Sequence, residues 1–201
     1  MPAESEAAVA ALRSGRPVVI PTDTVYGLAA DATSETAVRA LYALKGRSEI
    51  QPTAVIFAST AQLAAAVPEL AGEPAVDALL PGPVTLVVAN PRRRYAGVCG
   101  AGGYLGVRVP VLSPVVAEII ATAGPVVATS ANDPGGVDPR TLAAVPSRLR
   151  EGAAAVVDGG ELPGVPSTVV DLTGDEPRVV REGAIPRQRV LEALSSVRAR
   201  G

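Results

Sequence analysis

Histidine is absent from this sequence of 201 residues, and cysteine occurs once, as Cys99. The missing imidazole excludes Ser-His catalysis, histidine acid-base chemistry and histidine-bound metals. A lone cysteine excludes an internal disulfide and a metal site built from several thiolates. Aromatic residues make up only 2% of the chain, although 48% of it is hydrophobic. The core must therefore consist of small aliphatic side chains, which favours helices packed on a valine-rich sheet.

Strong charge and long apolar segments are also missing. The net charge is -2 and the pI is about 5.3, so no global basic field attracts nucleic acid and any RNA contact would be local. The N-terminus has no basic stretch followed by an apolar core, unlike a secretory signal. The longest apolar region, residues 114–129, is interrupted by Glu118, Gly124 and Pro125, too early for a membrane span. We expect a cytoplasmic protein in which residues 1–201 form one domain.

Lysine is nearly absent as well. Of the 18 basic residues, only Lys45 is a lysine, and all the others are arginines. An ammonium is a compact charge on a flexible stem, whereas a guanidinium is a planar fork. Lys45 therefore has two interpretations: it is there by chance, or it serves a site that requires a point charge.

Helical and strand patterns alternate along the chain, with proline and glycine marking the turns. Apolar spacing and capping residues predict helices over residues 4–13, 33–45, 59–67, 75–80, from Ser113 and Pro114 onward, and 187–197. Valine-rich runs predict strands over residues 17–20, 54–58, 84–89, 105–109, 126–128, 155–157, 168–172 and 179–181. Because some consecutive strands have no helix between them, we expect a mixed sheet.

Polar residues follow several of these predicted strands in place of an ordinary turn. Thr22 and Thr24 follow one strand, and Ser130 and Asn132 follow another. Open α/β folds bind ligands at such strand ends, and these hydroxyls and amides would suit an anion such as a nucleotide. The same residue types are also common in turns and caps, so that alternative stays open.

Several cations carry a similar pair of interpretations. Lys45 and Arg47 follow a predicted helix, where they could bind an anion or only complement the helix dipole. Arg108 lies between two valines and could point into a site or be the exposed residue of an alternating strand. Arg181 ends another predicted strand.

The common phosphate-binding motifs are missing. There is no G-x-x-x-x-G-K-[ST], and the glycine-rich residues 97–106 precede a strand, so they do not form a dinucleotide-binding fingerprint. We predict a mobile loop there and expect Cys99 to be inert. The run Arg92-Arg93-Arg94 could contact RNA, but without aromatic stacking partners a solvated loop is favoured.

Taken in order, the separated motifs of residues 15–183 closely resemble the YrdC-like family of threonylcarbamoyl-AMP synthases. The Lys-x-Arg and Ser-x-Asn pairs are that family's signature tetrad. The matching segments are Pro21-Thr22-Asp23-Thr24-Val25-Tyr26-Gly27-Leu28, Lys45-Gly46-Arg47, Leu80-Pro81-Gly82-Pro83-Val84-Thr85, Val107-Arg108-Val109-Pro110, Thr129-Ser130-Ala131-Asn132, Pro166-Ser167-Thr168-Val169-Val170-Asp171 and Arg181-Glu182-Gly183.

The resemblance implies an α/β fold with a twisted, mixed parallel and antiparallel sheet, surrounding helices and a concave, positively charged cavity. It also implies a reaction in which L-threonine, bicarbonate and ATP give threonylcarbamoyl-AMP and pyrophosphate. Mg²⁺ would arrive with ATP, without metal-binding side chains of its own. Downstream transferase proteins would pass the threonylcarbamoyl group to tRNA, and a weak tRNA contact is a further expectation.

The same resemblance assigns roles to individual residues. The residues expected to be catalytic are Lys45, Arg47, Ser130 and Asn132. Those expected to bind threonine are Thr24, Arg108, Ser130 and Ser167. Those expected to bind ATP are Lys45, Arg47, Gln51, Asn132, Arg140 and Arg181.

Some positions depart from the family pattern and leave room for a paralogue. They are Ser48, Gln51 and Thr53 after Lys-x-Arg, Ile56 on the next strand, and Asp133-Pro134-Gly135 after Ser-x-Asn. Two alternative functions remain open at this point. One is an RNA-binding or ribosome-assembly module of the same fold, which the acidic charge and scarce aromatics disfavour. The other is a carbamoyl-transferring relative, although the chain lacks the domains that supply carbamoyl phosphate in such proteins.

Overall fold

The computed structural model describes residues 3–46, 53–99 and 103–198. Its helices are α1 (Ala3–Arg13), α2 (Glu35–Lys45), α3 (Thr60–Ala66), α4 (Pro74–Leu79), α5 (Pro114–Ala123), α6 (Ser147–Gly152) and α7 (Arg187–Arg198). Its strands are β1 (Val18–Pro21), β2 (Tyr26–Asp31), β3 (Ala54–Ile56), β4 (Val84–Ala89), β5 (Tyr104–Arg108), β6 (Val126–Ser130), β7 (Ala155–Val156), β8 (Thr168–Asp171) and β9 (Arg178–Arg181). Short 3-10 turns occur at Pro68–Leu70 and Leu142–Ala144.

All the described strands belong to one sheet, in the order β7-β1-β2-β6-β3-β5-β4-β8-β9. The pairs β1·β7, β3·β5 and β4·β8 are parallel, and the other neighbouring strands are antiparallel. The prediction of a mixed sheet is therefore confirmed. No described helix is long and apolar enough to cross a membrane.

Helix α2 shows how local sequence sets an element's bounds. The Ser34 side chain caps its N-terminus by accepting a hydrogen bond from the Ala37 backbone N–H. Its C-terminus ends at Gly46, whose φ of 68° lies in the left-handed region that glycine adopts without strain. The helix therefore presents Lys45, its last residue, at a fixed point.

Two elements are absent from the sequence-based prediction. Strand β2 has the sequence Tyr-Gly-Leu-Ala-Ala-Asp, whose glycine and alanines have low strand propensity. It forms because β1 and β6 hydrogen-bond to its two edges and because most of its residues are buried. Helix α6 is a short helix of six residues, too brief for a periodic pattern to reveal.

The two faces of the sheet are packed differently. On one face, side chains such as Leu28, Val55 and Val107 join a large hydrophobic cluster with helices α2, α3, α4, α6 and α7. On the other face, Ile20 and Val126 join a smaller cluster formed with α1 and α5. Because α1 and α5 cover only part of that second face, the remainder can border a cavity.

Candidate active site

A cavity of about 410 Å³ opens on the face of the sheet that carries α1 and α5. Ile56 belongs to the smaller hydrophobic cluster and also lines this cavity, which places both on the same face. Alternate residues of β3, β4 and β5 line it, as the two-residue period of a strand requires, and β6 contributes its last residues. This set includes Ala54 and Ile56 of β3, Thr85 and Val87 of β4, Tyr104, Gly106 and Arg108 of β5, and Ala128 and Ser130 of β6. The volume lies within the range of small-molecule sites, which is roughly 300 to 1,000 Å³.

Small residues form the floor of this cavity. Ala54 pairs with Gly106 on one side and with Ala128 on the other, and all three line the cavity. Gly27 lines it as well and pairs with Ser130. At Gly106 a side chain would be tight, since an added Cβ would lie 3.3 Å from the Ala54 Cα. The cavity therefore exists because these four neighbouring positions are glycine or alanine, whose side chains fill almost no space.

Arg108 forms one polar group in the cavity. It is only 8% exposed, so the interpretation as an exposed strand residue is wrong. Its Nη2 donates to Asp23 Oδ1 and, over 2.8 Å, to Thr24 Oγ1. Asp23 Oδ2 accepts the Val111 backbone N–H at 3.1 Å, which holds the carboxylate in place. Burial lowers the pKa of the Arg108 guanidinium, while Asp23 acts in the opposite direction.

Lys45 forms a second polar group with the turn after β6. Its Nζ donates to the carbonyl oxygen of Ser130 over 2.7 Å, and also to the backbone and side-chain oxygens of Asn132. Ser130 Oγ donates to Asn132 Oδ1 over 2.7 Å. Lys45 is only 4% exposed although it lies in the last turn of α2. In this structure the ammonium holds the Ser-x-Asn turn together.

Asp138 extends this second group into the cavity. The Asn132 Nδ2 donates to the Gly136 carbonyl oxygen over 2.6 Å and to Asp138 Oδ1 over 3.2 Å. Asp138 and Ser130 line the cavity, whereas Asn132 lies behind them. The Asn132 amide is thus bonded on all sides by protein atoms. Through these hydrogen bonds Asn132 holds Ser130 and Asp138, which face the cavity, in position.

Ser167, Thr85 and Arg181 form a third polar group. The hydroxyls of Ser167 and Thr85 are 2.9 Å apart, within hydrogen-bond distance. Arg181 donates from Nη2 to the carbonyl oxygen of Ser167 over 2.9 Å and to its Oγ over 3.2 Å. All three residues line the cavity. Arg181 therefore braces the start of β8 at the cavity wall.

A segment over residues 158–166 runs beside the cavity without regular structure. The Tyr26 hydroxyl donates to Asp158 Oδ1 over 2.8 Å, and the Gly164 N–H donates to the Thr24 carbonyl oxygen over 2.8 Å. The Gly160 N–H, followed by the Tyr26 hydroxyl, lowers the pKa of the Asp158 carboxyl. These bonds attach the segment to β2 and to the threonine-rich turn before it.

The predicted site residues are brought together only in part. Thr24, Arg108, Ser130, Ser167 and Arg181 line the one cavity, while Lys45 and Asn132 support it from behind. Arg140 is not among the lining residues: it is exposed and pairs with Glu161 at 2.8 Å. Its assignment to ATP stays a prediction. The predicted residues Arg47 and Gln51 lie outside the described residues, as do Ser48 and part of the glycine-rich loop.

The cavity also contains residues to which the sequence assigned no role. Thr85 and Asp138 line it, and Asp23 pairs with the buried Arg108. Thr85 and Asp23 stand within the motifs quoted above, which was the available signal, whereas nothing in the sequence marks Asp138. Two arginines and one aspartate are the charged residues among the described lining. A positively charged cavity therefore stays a prediction.

Other reactive groups offer no competing site. Burial raises the pKa of the Cys99 thiol. Its sulfur accepts a hydrogen bond from Asn90 Nδ2 and donates one to the carbonyl oxygen of Arg94. The described residues contain no group of three or more cysteine, aspartate or glutamate side chains that could hold a metal ion. Asp23 is engaged by Arg108, and Asp133 is paired with Arg148 at 2.5 Å.

Fold and cavity together define an α/β protein that encloses a polar small-molecule cavity on one face of a mixed sheet. The Sua5, YciO and YrdC family model, described as "Telomere recombination", matches residues 10–183. The chain therefore belongs to this family.

Similar proteins extend the comparison. A Mycobacterium tuberculosis protein with the provisional name threonylcarbamoyl-AMP synthase is 37% identical over 191 residues, covering 93% of this chain and 87% of that protein. The crystal structure of Pyrococcus abyssi Sua5 complexed with L-threonine superposes with a TM-score of 0.83 at 32% identity. The match covers 94% of this chain and 57% of Sua5, so the chain spans just over half of that protein. E. coli YciO superposes with a TM-score of 0.75 at 25% identity, covering 93% of this chain and 92% of YciO.

Proposed function

We propose that this protein is an L-threonylcarbamoyladenylate synthase, a nucleotidyltransferase that forms threonylcarbamoyl-AMP and pyrophosphate from L-threonine, bicarbonate and ATP. One observation carries the proposal. Thr24, Arg108, Ser130 and Ser167, the four residues assigned to threonine, come from distant parts of the chain and line a single cavity. The L-threonine complex of the homologous Sua5 and the names of the relatives support the same substrate.

Arg108 is the residue suited to the α-carboxylate of threonine. Its hydrogen bonds to described residues all come from Nη2, which leaves Nη1 for a ligand, and its buried Nε has no hydrogen-bond partner among these residues. A charge-assisted bond to a carboxylate contributes about 1.5 to 3 kcal/mol. Thr24 and Ser167 supply hydroxyls near this end of the cavity. The threonine is thereby oriented before reaction, which lowers the entropic cost of the step.

In this proposal the nucleotide binds beside Arg181 and beside Ser130, at the turn that follows β6. Ser130 faces the cavity, and its hydrogen bonds with Lys45 and Asn132 keep its hydroxyl in place. Arg181 adds a cation at the wall. Arg47, Gln51 and Arg140 remain candidate ATP contacts on the resemblance alone. Mg²⁺ enters as part of the MgATP substrate, where it neutralises the charge of the departing pyrophosphate.

The reaction requires no side-chain nucleophile. The amine of threonine first combines with bicarbonate, releasing water, or with dissolved CO₂, releasing a proton, to give an N-carboxylate. An oxygen of that carboxylate then forms a bond to the α-phosphorus of ATP, while the bond from this phosphorus to pyrophosphate breaks. Cys99, the one thiol at the cavity, is a poor nucleophile because burial raises its pKa and so depletes the thiolate. Catalysis therefore rests on positioning and on stabilising the developing charge.

The product is a mixed anhydride, which must be consumed by a protein that transfers the threonylcarbamoyl group to tRNA. The proposal therefore includes downstream threonylcarbamoyl-transferase partners, with at most a weak tRNA contact by this chain. Three arginines in a row, Arg92 to Arg94, do not change this expectation. Arg92 and Arg94 are both paired with Glu69.

Product formation tests the proposal directly. The purified protein is incubated with MgATP, bicarbonate and labelled threonine, and threonylcarbamoyl-AMP and pyrophosphate are quantified together. We expect both products in equal amounts, and neither when threonine or bicarbonate is omitted. Pyrophosphate release that does not depend on threonine would contradict the proposal. An Arg178→Ala variant is a suitable control, because this exposed arginine pairs with Asp171 away from the lining of the cavity.

A further inference from the structure

Asp138 is a carboxylate that faces the cavity and that the mechanism above does not use. Among the described lining residues it is the one acidic side chain, and it forms no ion pair with a described residue. Asp23 and Asp133 differ from it in both respects, because each is paired with an arginine and neither lines the cavity. A lone carboxylate in a site for an anionic substrate requires a physical explanation.

The position of Asp138 is fixed on two sides. Its Oδ1 accepts a hydrogen bond from Asn132 Nδ2 at 3.2 Å, and Asn132 is itself held by Lys45 and Ser130. The carbonyl oxygen of the next residue, Pro139, accepts the Tyr26 backbone N–H at 3.0 Å. Asp138 and Ser130 are thus both hydrogen-bonded to the side chain of Asn132. Its Oδ2 forms no hydrogen bond with a described residue and is available to a ligand.

This placement would repel a bare triphosphate at the Ser130 turn. Charges of the same sign repel each other strongly where the surrounding protein lowers the effective dielectric constant below that of water. A divalent cation between the two groups reverses the sign of that interaction. Mg²⁺ requires oxygen ligands and binds through one or two carboxylates together with substrate phosphates and waters. A single fixed carboxylate beside the phosphates therefore suits Mg²⁺ that arrives with the nucleotide.

We propose that Asp138 is the protein carboxylate that meets the Mg²⁺ of MgATP in this cavity, directly or through one of its bound waters. The inference rests on the proposed function, because it takes ATP to be the substrate. The neighbouring Asn132 contributes by holding Asp138 in the required orientation. The protein thereby selects the magnesium complex of the nucleotide over the metal-free nucleotide.

Nucleotide binding with and without Mg²⁺ tests this inference independently of turnover. The ligand is α,β-methylene ATP, which cannot release pyrophosphate, titrated by calorimetry without threonine or bicarbonate. The variants are Asp138→Asn, Asp138→Ala and a control, Asp133→Asn. Asp138→Asn removes the charge but keeps an oxygen that can accept the hydrogen bond from Asn132. Asp133→Asn removes a charge from the same loop outside the cavity lining.

We expect the parent protein to bind the analogue more tightly with Mg²⁺ than without it. In Asp138→Asn and Asp138→Ala this enhancement by Mg²⁺ should fall by about 10-fold or more, which corresponds to about 1.4 kcal/mol. Metal-free binding should become tighter in both variants, because the repulsion is gone. Asp133→Asn should behave like the parent.

Three other outcomes would overturn the inference. If Asp138→Asn behaves like the parent in both titrations, the charge of Asp138 has no role. If only Asp138→Ala is impaired, Asp138 acts as a hydrogen-bond acceptor that positions Asn132, and not through a cation. If the parent protein itself does not bind the analogue, the proposed function fails together with the inference, which separates this case from the first two.

Discussion

The two faces of the sheet are formed by the same strands, but one face is packed against helices and the other borders the cavity. On the closed face, Leu28, Val55 and Val107 are completely buried against five helices. On the cavity face, the corresponding central positions are Gly27, Ala54, Gly106 and Ala128. Adjacent residues of one strand therefore belong to a packed core and to the lining of the cavity. The difference lies in the size of the side chain and in whether a helix covers it.

The polar residues follow the same division. Thr85 and Arg108 alternate with buried aliphatic neighbours, so each points toward the cavity by strand periodicity, and Ser130 lines the cavity at the end of β6. Residues that create the site thus contribute little to the main hydrophobic core. Changes on the cavity face should mainly affect activity, and changes on the closed face should mainly affect stability. The following substitutions test that separation.

Filling the cavity floor should have the largest effect. Ala128→Leu places a large side chain in the cavity beside Ala54 and near Ser130, where the proposed function puts the substrates. Because a displacement of about 1 Å at a reacting centre can cost about 100-fold, we expect at least that loss of threonine-dependent pyrophosphate release. Ala128→Ser, which adds only a hydroxyl, should retain most activity. Near-normal turnover of Ala128→Leu would show that this cavity is not the site.

Removing the buried arginine should have the next largest effect. Arg108→Ala deletes the group suited to the threonine carboxylate, and kcat/KM for threonine should fall about 10- to 150-fold, the equivalent of about 1.5 to 3 kcal/mol. The KM for ATP should change much less. Asp23→Asn should produce a smaller increase in the KM for threonine, because Arg108 then loses the carboxylate that orients it. An equal loss for both substrates would argue against a specific contact with threonine.

Two valines of β4 provide a matched comparison of the faces. Val88 is 5% exposed in the large hydrophobic cluster, whereas Val87 lines the cavity. Val88→Ala should lower the free energy of unfolding by about 2 kcal/mol, because less apolar surface is buried and the surrounding side chains do not fill the space that the valine leaves. Val87→Ala should lower it clearly less, because its side chain already borders open space. Urea denaturation of the two variants measures this difference, and equal destabilisation would refute the division of the faces.

The smallest effect concerns acid stability of the segment beside the cavity. The pKa of Asp158 is lowered in the folded protein by the Gly160 N–H and the Tyr26 hydroxyl. Its stabilising contribution is therefore present above the ordinary carboxyl pKa of about 4 and is lost as the pH falls through the lower folded value. Asp158→Asn should reduce the difference in Tm between pH 7 and pH 3. Glu118→Gln, at an exposed position on α5, serves as the control and should leave that difference unchanged.

The sequence by itself determined the elements whose signals are local. Ser34 and Gly46 bound helix α2 because caps and left-handed glycines act within one turn of the chain. A valine-rich run predicted β4 over residues 84–89, as found. The order of the motifs predicted the family, and the absence of histidine excluded imidazole chemistry.

Only the tertiary structure decided which of these residues share a site and what each one contacts. Strand β2 depends on partners at both of its edges, so its weak local propensity could not reveal it. The cavity depends on Ala54, Gly106 and Ala128 becoming neighbours across three strands. Asp138 reaches the cavity because of a hydrogen bond to Asn132 and the anchoring of Pro139. The strand pairings join residues far apart in the chain, and no local periodicity encodes them.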